Sequence, residues 1–249
     1  MMLSPQHPTP LTLFFAGTDT DVGKTFVACA VARALSRSGK RVGVYKPVAS
    51  GCRDENGTRI ADDATALWQA AGCSVLIDQV CPQKFLAPLA PPAAAEAEGT
   101  CVDAALLHRG ADALHDQCDL LIVEGAGGLF SPLADGVLNI DLVKQFVGAK
   151  VVIVAANRLG AIHQTLATIE AARHRGVNPA GLILNDITGT SDSSIQTNAS
   201  QIRQFTDVPI LAELPYRHFD SDGESAGALS SFNFDDFFST KFIDALFMQ

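Results

Sequence analysis

Nine residues, GTDTDVGKT at 17–25, sit between the apolar run LTLFFA and a segment with helical periodicity. The order is strand, glycine-rich turn and helix start, and a chain built around it folds as an α/β layer structure whose turn faces a phosphate. Gly23 permits the tight turn, Lys24 reaches outer phosphate oxygens, and the Thr25 hydroxyl is placed to hold magnesium. The usual spacing is G-x-x-x-x-G-K-[ST]; here five residues rather than four separate Gly17 from Gly23, so the loop is a variant. An ordinary glycine-rich turn is the plain alternative, and the flanking strand and helix weigh against it.

The rest of the chain repeats the same alternation. Apolar runs bounded by turn residues predict strands near 11–16, 41–46, 119–124, 150–156, 181–185 and 208–212. Helical periodicity predicts helices over 24–38, 62–71, 102–117, 139–147, 160–175 and 194–205, with Gly39, Gly72 and Gly176 as stops. Strands alternating with helices imply a mostly parallel sheet, of about seven strands, covered by helices on both faces. With 47% hydrophobic and 18% charged residues, 249 residues can bury one large core, and nothing favours a split. The expectation is a flexible tail over 1–10 and a single α/β domain over 11–249. The Pro/Ala run FLAPLAPPAAAEAEG at 85–99 has a linker's composition, but it falls inside the alternation and reads better as a substrate-lining loop. The Phe-rich stretch from Phe232 to Phe242 suggests a packed terminal helix or a subunit contact.

Composition excludes some partners. A net charge of −9 repels nucleic acid and anionic membrane, and no cluster of lysine and arginine reverses it locally. The six cysteines contain no C-x-x-C pair, so they read as structural thiols. No signal peptide or membrane span is visible, and the cytoplasm is the expected compartment.

Ligands of a parallel sheet gather beyond the carboxyl ends of the strands, so polar residues just after a strand are site candidates. Glu124 ends DLLIVE, as the acidic residue of a second nucleotide-site motif should, and Gly125, Ala126 and Gly127 behind it let backbone approach a phosphate. Asp63, at the front of a helix, is either a helix cap or a ligand. Lys46 ends the strand in YKPVASG; it is either surface charge or a second cation for a developing anion. Asn185 and Asp186 end GLILND, as turn formers or as readers of a purine edge. ANRLGAIHQ at 156–164 opens a helix whose free N–H groups suit a carboxylate.

GTDTDVGKT, YKPVASG, DDATAL, CPQKFLAPLAPPAAAEAEG, VEGAGGLFSPL and GLILND, in this order, resemble the dethiobiotin synthetase family of P-loop ligases from about residue 12 to 215. The resemblance implies ATP- and Mg2+-dependent ring closure. Carbon dioxide adds to one amine of 7,8-diaminononanoate as a carbamate, ATP phosphorylates it, and the second amine attacks to give a cyclic urea, ADP and phosphate. Carried over by position, Lys46, Lys24 and Thr20 are catalytic; Ser50, Asp21, Gly160, Ala161 and Ile162 bind substrate. Asp21, Val22, Gly23, Lys24, Thr25, Phe26, Gly125, Ala126 and Gly127 wrap the nucleotide, with Asn185, Asp186, Pro215, Tyr216 and Arg217 on its base side. Thr25, Asp63 and Glu124 hold magnesium, which moves Asp63 from cap to ligand. The resemblance further implies a homodimer with the substrate near the subunit interface. Asp21 stands where familiar members carry glutamate.

Three rivals share parts of the pattern. A partitioning or cell-division ATPase carries a signature lysine near the first glycine, where this chain has Asp19. A cobyrinate-type amide ligase needs a glutaminase domain, for which 249 residues leave no room. A regulatory GTPase needs an N-K-x-D segment, and none ends a strand.

Overall fold

The computed structural model describes residues 10–189 and 192–216. Ten strands are present among these: β1 (Leu11–Gly17), β2 (Val42–Tyr45), β3 (Arg53–Glu55), β4 (Thr58–Ile60), β5 (Leu120–Gly128), β6 (Pro132–Ala134), β7 (Val137–Leu138), β8 (Lys150–Ala156), β9 (Gly181–Asn185) and β10 (Ile210–Leu214). The helices are α1 (Lys24–Arg37), α2 (Asp62–Ala70), α3 (Ile77–Val80), α4 (Pro91–Ala97), α5 (Ala104–Arg109), α6 (Asp112–His115), α7 (Asn139–Val143), α8 (Ala161–His174) and α9 (Ile195–Ile202). The tail expected at 1–10 falls, but for Pro10, outside the described residues. So do Arg217 and the phenylalanines of the carboxyl end.

Six strands form the main sheet in the order β10-β9-β8-β1-β5-β2, every pair parallel. Strand residues alternate between two cores. Leu13, Phe15, Ile122 and Val154 pack under α1, α2 and α3, whereas Phe14, Leu121, Val123 and Ile153 pack under α4 to α9. Helices therefore cover both faces, and strands apolar on both sides are what such a sheet requires. From β1 the chain runs out to β2, fills the gap with β5, then turns to β8 on the other side. The carboxyl end of β1 is thus the switch point where a crevice opens.

The sheet has six strands where about seven were expected. The remaining pairs, β3-β4 and β6-β7, are two-stranded antiparallel hairpins. Asn56 (φ 54°) and Gly57 (φ 83°) turn the first of them, the dipeptide that suits a tight hairpin. The expected helix at 102–117 is broken into α5 and α6 near Gly110, whose Cα lies against the Tyr45 hydroxyl. The helix expected at 139–147 ends at Val143. The run 85–99 is loop only in its first half, because Pro91 takes the first turn of α4 and the alanines behind it propagate the helix. Gly39, Gly72 and Gly176 end helices with positive φ, as expected.

All six cysteines are unpaired, and burial pushes the thiols of Cys29 and Cys81 up to about 12 and that of Cys118 to about 11. These three are inert packing groups. Among the described residues no helix is long and apolar enough to cross a membrane.

Leu121, near the start of the central strand β5, has no exposed surface. Leu121→Ala should cost about 3 kcal/mol of stability by urea denaturation, and a loss below about 1 kcal/mol would contradict the packing described for that face.

Candidate active site

The crevice at the end of β1 is a cleft of about 970 Å³. Its floor follows from strand register. Tyr45 pairs with Val123, so the next residues, Lys46 just past the end of β2 and Glu124 in the middle of β5, stand abreast. Both are buried, at 3% and 0% exposure. The Lys46 ammonium donates to Glu124 Oε1 at 2.6 Å and to Asp63 Oδ2 at 2.9 Å. Thr25 Oγ1 donates to the same Glu124 oxygen at 2.8 Å. Asp63 is no cap: α2 starts from Ala61 without a side-chain cap, and the Asp63 carboxylate turns to Lys46 instead.

The phosphate loop curls over this floor. Asp21 has φ 56° and Gly23 φ 84°, two left-handed residues that aim successive N–H groups inward. Aspartate tolerates that conformation better than most residues. At Gly23 a Cβ would lie 2.2 Å from Asn185 Nδ2, so only glycine fits. Lys24 is 7% exposed, and its ammonium donates only to the Asp19 carbonyl, at 3.4 Å, among the described residues.

The two lysines differ electrostatically. Burial lowers the Lys24 pKa, and Lys46 nearby adds to the effect. Burial works against the Lys46 ammonium as well, but Glu124 and Asp63 at bonding distance override it and raise its pKa. Partial burial works to raise the Asp63 pKa; the Lys46 charge and hydrogen bonds from Lys46 and Thr25 win and hold it below the usual carboxylate range.

Thr25, Asp63 and Glu124 converge on the cleft floor around the Lys46 ammonium. Glu124 Oε2 is buried with no hydrogen-bond partner, an oxygen that a cation would satisfy. Among the described residues no group of three His, Cys, Asp or Glu side chains is assembled to hold a metal. Two carboxylates and a hydroxyl suit magnesium, which takes its other ligands from water and phosphate.

Thr20, Asp21, Gly23, Ser50, Ala126 and Gly127 also line the cleft. Val22, Phe26 and Gly125 stand behind the lining, Val22 with 2% exposure. The described residues expected on the base side form a neighbouring cluster. Asn185 pairs with Leu214 in register, and the Asp186 N–H bonds to the Leu214 carbonyl at 2.9 Å, which puts Asp186 beside Pro215. Asp186 Oδ1 accepts from the Thr188 and Gly189 N–H groups, and the Tyr216 ring packs on Gly189. Asn185 also has a job the sequence did not suggest, donating to the Val22 carbonyl at 3.1 Å and tying β9 to the phosphate loop.

Gly160, Ala161 and Ile162 are not brought to the cleft lining. They start α8 with Gly160 in a left-handed conformation, beside Leu159, which is 77% exposed. The run 85–99, expected as a lining loop, reaches the cleft with four residues, and sequence reasoning missed one residue elsewhere. Pro88, Leu89, Ala90 and Pro91 form an apolar wall of the cleft, laid along 46–52 by backbone bonds such as Gly51 N–H to the Ala87 carbonyl at 2.9 Å. Asn139, fully buried behind Gly125, was legible only as one polar residue in the run VLNIDLV.

Residues 11–221 match the family described as AAA domain. ATP-dependent dethiobiotin synthetase from Rhodopirellula baltica is 44% identical over 81% of this chain and 82% of that protein. The enzyme of the same name from Idiomarina loihiensis is 39% identical, covering 82% and 92%, and that from Alteromonas mediterranea 36%, covering 88% and 96%. Among solved structures, the signal recognition particle receptor of Elizabethkingia anophelis overlays with a TM-score of 0.49 at 16% identity, over 95% of this chain and 66% of that one. The P-loop, the cleft floor and these relatives agree, and the chain belongs to the ATP-dependent dethiobiotin synthetase family.

Proposed function

We propose that this chain is a cytoplasmic, Mg2+-dependent dethiobiotin synthetase that uses ATP to close the ureido ring of dethiobiotin from 7,8-diaminononanoate and carbon dioxide. The observation that carries the reading is Lys46, a fully charged ammonium held between two carboxylates on the floor of the same cleft as Lys24.

In this reading one amine of the diamine adds to carbon dioxide and loses a proton, giving a carbamate. A carbamate oxygen then attacks the γ-phosphorus of ATP, ADP leaves, and a carbamic–phosphoric anhydride forms. The second amine attacks its carbonyl carbon, phosphate departs, a proton is lost, and the cyclic urea is closed. The carbamate and ATP are both anions, and two lysines within one preorganised pocket offset their repulsion. Lys24 and the loop N–H groups hold the phosphates, Thr20 and Ser50 line the path to the carbamate, and Lys46 faces the developing charge. Magnesium on Thr25, Asp63 and Glu124 would supply charge neutralisation on the phosphates. Asn185, Asp186, Pro215 and Tyr216 take the adenine side. The apolar wall at 88–91 suits the methylene chain of the diamine. Gly160 to Ile162 and exposed Leu159 suit a homodimer in which the α8 amino terminus receives the carboxylate of a substrate bound in the partner. An acidic surface fits the absence of nucleic-acid and membrane partners.

ADP should form only when diaminononanoate, bicarbonate and magnesium are all present with ATP. Equal ADP release without the diamine, measured by a coupled assay, would sink the reading in favour of a partitioning-type ATPase.

Lys46→Ala should lower kcat by at least about 10²-fold while nucleotide affinity changes little, because Lys24 and the loop retain the phosphates. A variant turning over at the normal rate would refute the role given to Lys46.

The Lys24 ammonium favours bound phosphate, and its lowered pKa makes it the first of the two lysines to lose a proton. ATP affinity should therefore weaken as the solution is raised from about pH 7 to about pH 10. A flat profile in direct titration would contradict this assignment.

A further inference from the structure

Asn139 is the first residue of α7 and has no exposed surface. Its side chain fills the inside of the turn that follows Glu124. Asn139 Nδ2 donates to the carbonyls of Ala126 at 2.7 Å, Gly128 at 2.8 Å and Ser131 at 3.1 Å. An amide has two N–H bonds, so the three contacts are shared, and all three carbonyls point inward at one nitrogen. Two backbone bonds reinforce the same clasp: Asn139 N–H to Ser131 O at 3.1 Å, and Ile140 N–H to Leu129 O at 3.0 Å. On the other side of the amide, a Cβ on Gly125 would stand 2.2 Å from Asn139 Oδ1, so glycine is the residue that lets the asparagine in.

The opposite surface of this turn is the cleft. Ala126, Gly127, Ser131 and Pro132 line it. A Cβ on Gly127 would stand 3.5 Å from Thr20 Oγ1, which places the turn directly across from the phosphate loop. Of the three peptide units so held, Ser131–Pro132 has no N–H and the Leu129 N–H bonds the Gly17 carbonyl at 2.9 Å, so the unit whose N–H a backward-drawn carbonyl turns toward the cleft is Ala126–Gly127. We propose that Asn139 is a positioning residue of the ATP site: by collecting the Ala126, Gly128 and Ser131 carbonyls it aims the glycine turn at the phosphate chain from behind. This rests on the reading of 125–127 as part of the phosphate wall, and on nothing in the ring-closing chemistry.

The test is direct binding of a fluorescent, non-hydrolysable ATP analogue, with thermal melting recorded alongside. Wild-type protein reports separately on that reading, since failure to bind the analogue at all would remove the nucleotide site itself. Asn139→Leu keeps the branched shape but has no donor; it should weaken the analogue at least about tenfold. It should leave the KM for diaminononanoate within about twofold while the KM for ATP rises. Asn139→Asp also keeps the shape, and facing three carbonyl oxygens its carboxyl regains one donor only when protonated. Its affinity relative to wild type should recover as the solution is lowered from about pH 8.5 to about pH 6. A role in packing alone predicts lower melting temperatures with unchanged affinity and no such recovery. That pattern would overturn the proposal, and so would loss of the fold in both variants, which would make Asn139 a stability residue.

Discussion

The site depends on one buried charge. Glu124 is fully enclosed in the middle of a central strand, where an uncompensated carboxylate would be costly enough to unfold its surroundings. Parallel pairing of β2 with β5 supplies the compensation, because the register that aligns Tyr45 with Val123 brings Lys46 alongside Glu124. The pair then recruits what lies above it. Thr25, at the start of α1, bonds the same oxygen, and Asp63, at the start of α2, reaches the other side of the ammonium. Two helices that pack on one face of the sheet are thereby pinned by their first turns to this pair.

Two lysines in one cleft repel each other, and the chain treats them oppositely. Lys46 is bonded to two carboxylates and keeps its proton beyond the ordinary range; Lys24 is bonded to a single backbone carbonyl at a long distance and holds its proton less firmly. An ammonium already satisfied by carboxylates serves as a fixed element of the field. One with an unsatisfied charge serves as a receptor for an anion. That difference of partners is the physical basis of the division between phosphate binding and carbamate activation proposed for the two lysines.

Much of this was legible in the sequence because the signals were local. Strands 11–16, 150–156 and 181–185 are apolar but for Thr12, Lys150 and Asn185, and a strand buried on both faces is the reading that fits such a run at that length. The phosphate loop was legible from residue types at fixed spacing. Less so were elements whose cause is tertiary. Asp63 reads as a cap until the sheet sets Lys46 beside it, and α4 hides in a run whose prolines suggest a loop until Pro91 falls at a first turn. Asn185 was legible as a strand-end polar group, but its bond to Val22 O joins residues far apart in the chain and leaves no local trace. Asn139 was invisible for the same reason: an asparagine at a helix start is ordinary, and its partners lie eight to thirteen positions earlier.

The apolar wall separates the family's chemistry from simple nucleotide hydrolysis on physical grounds. A cleft that admits only ATP and water has no use for Pro88, Leu89 and Pro91 in its lining beside Ser50 and Lys46. Exposed leucine in a polar cleft gains nothing from water, and Leu89 is half exposed there. A substrate with polar groups at both ends and methylenes between them makes use of both surfaces at once. In the reaction proposed above its amines would meet the charged floor while its chain would cover the leucine and prolines. The wall is itself held in place by hydrogen bonding remote from the phosphates: Arg59 pairs with Glu98 at 2.6 Å, and the other Glu98 oxygen accepts the Leu86 N–H at 2.6 Å. Anion binding and chain binding are thus built on separate supports, one on the strand ends and one on the strap beside them, so either surface can vary while the other is kept.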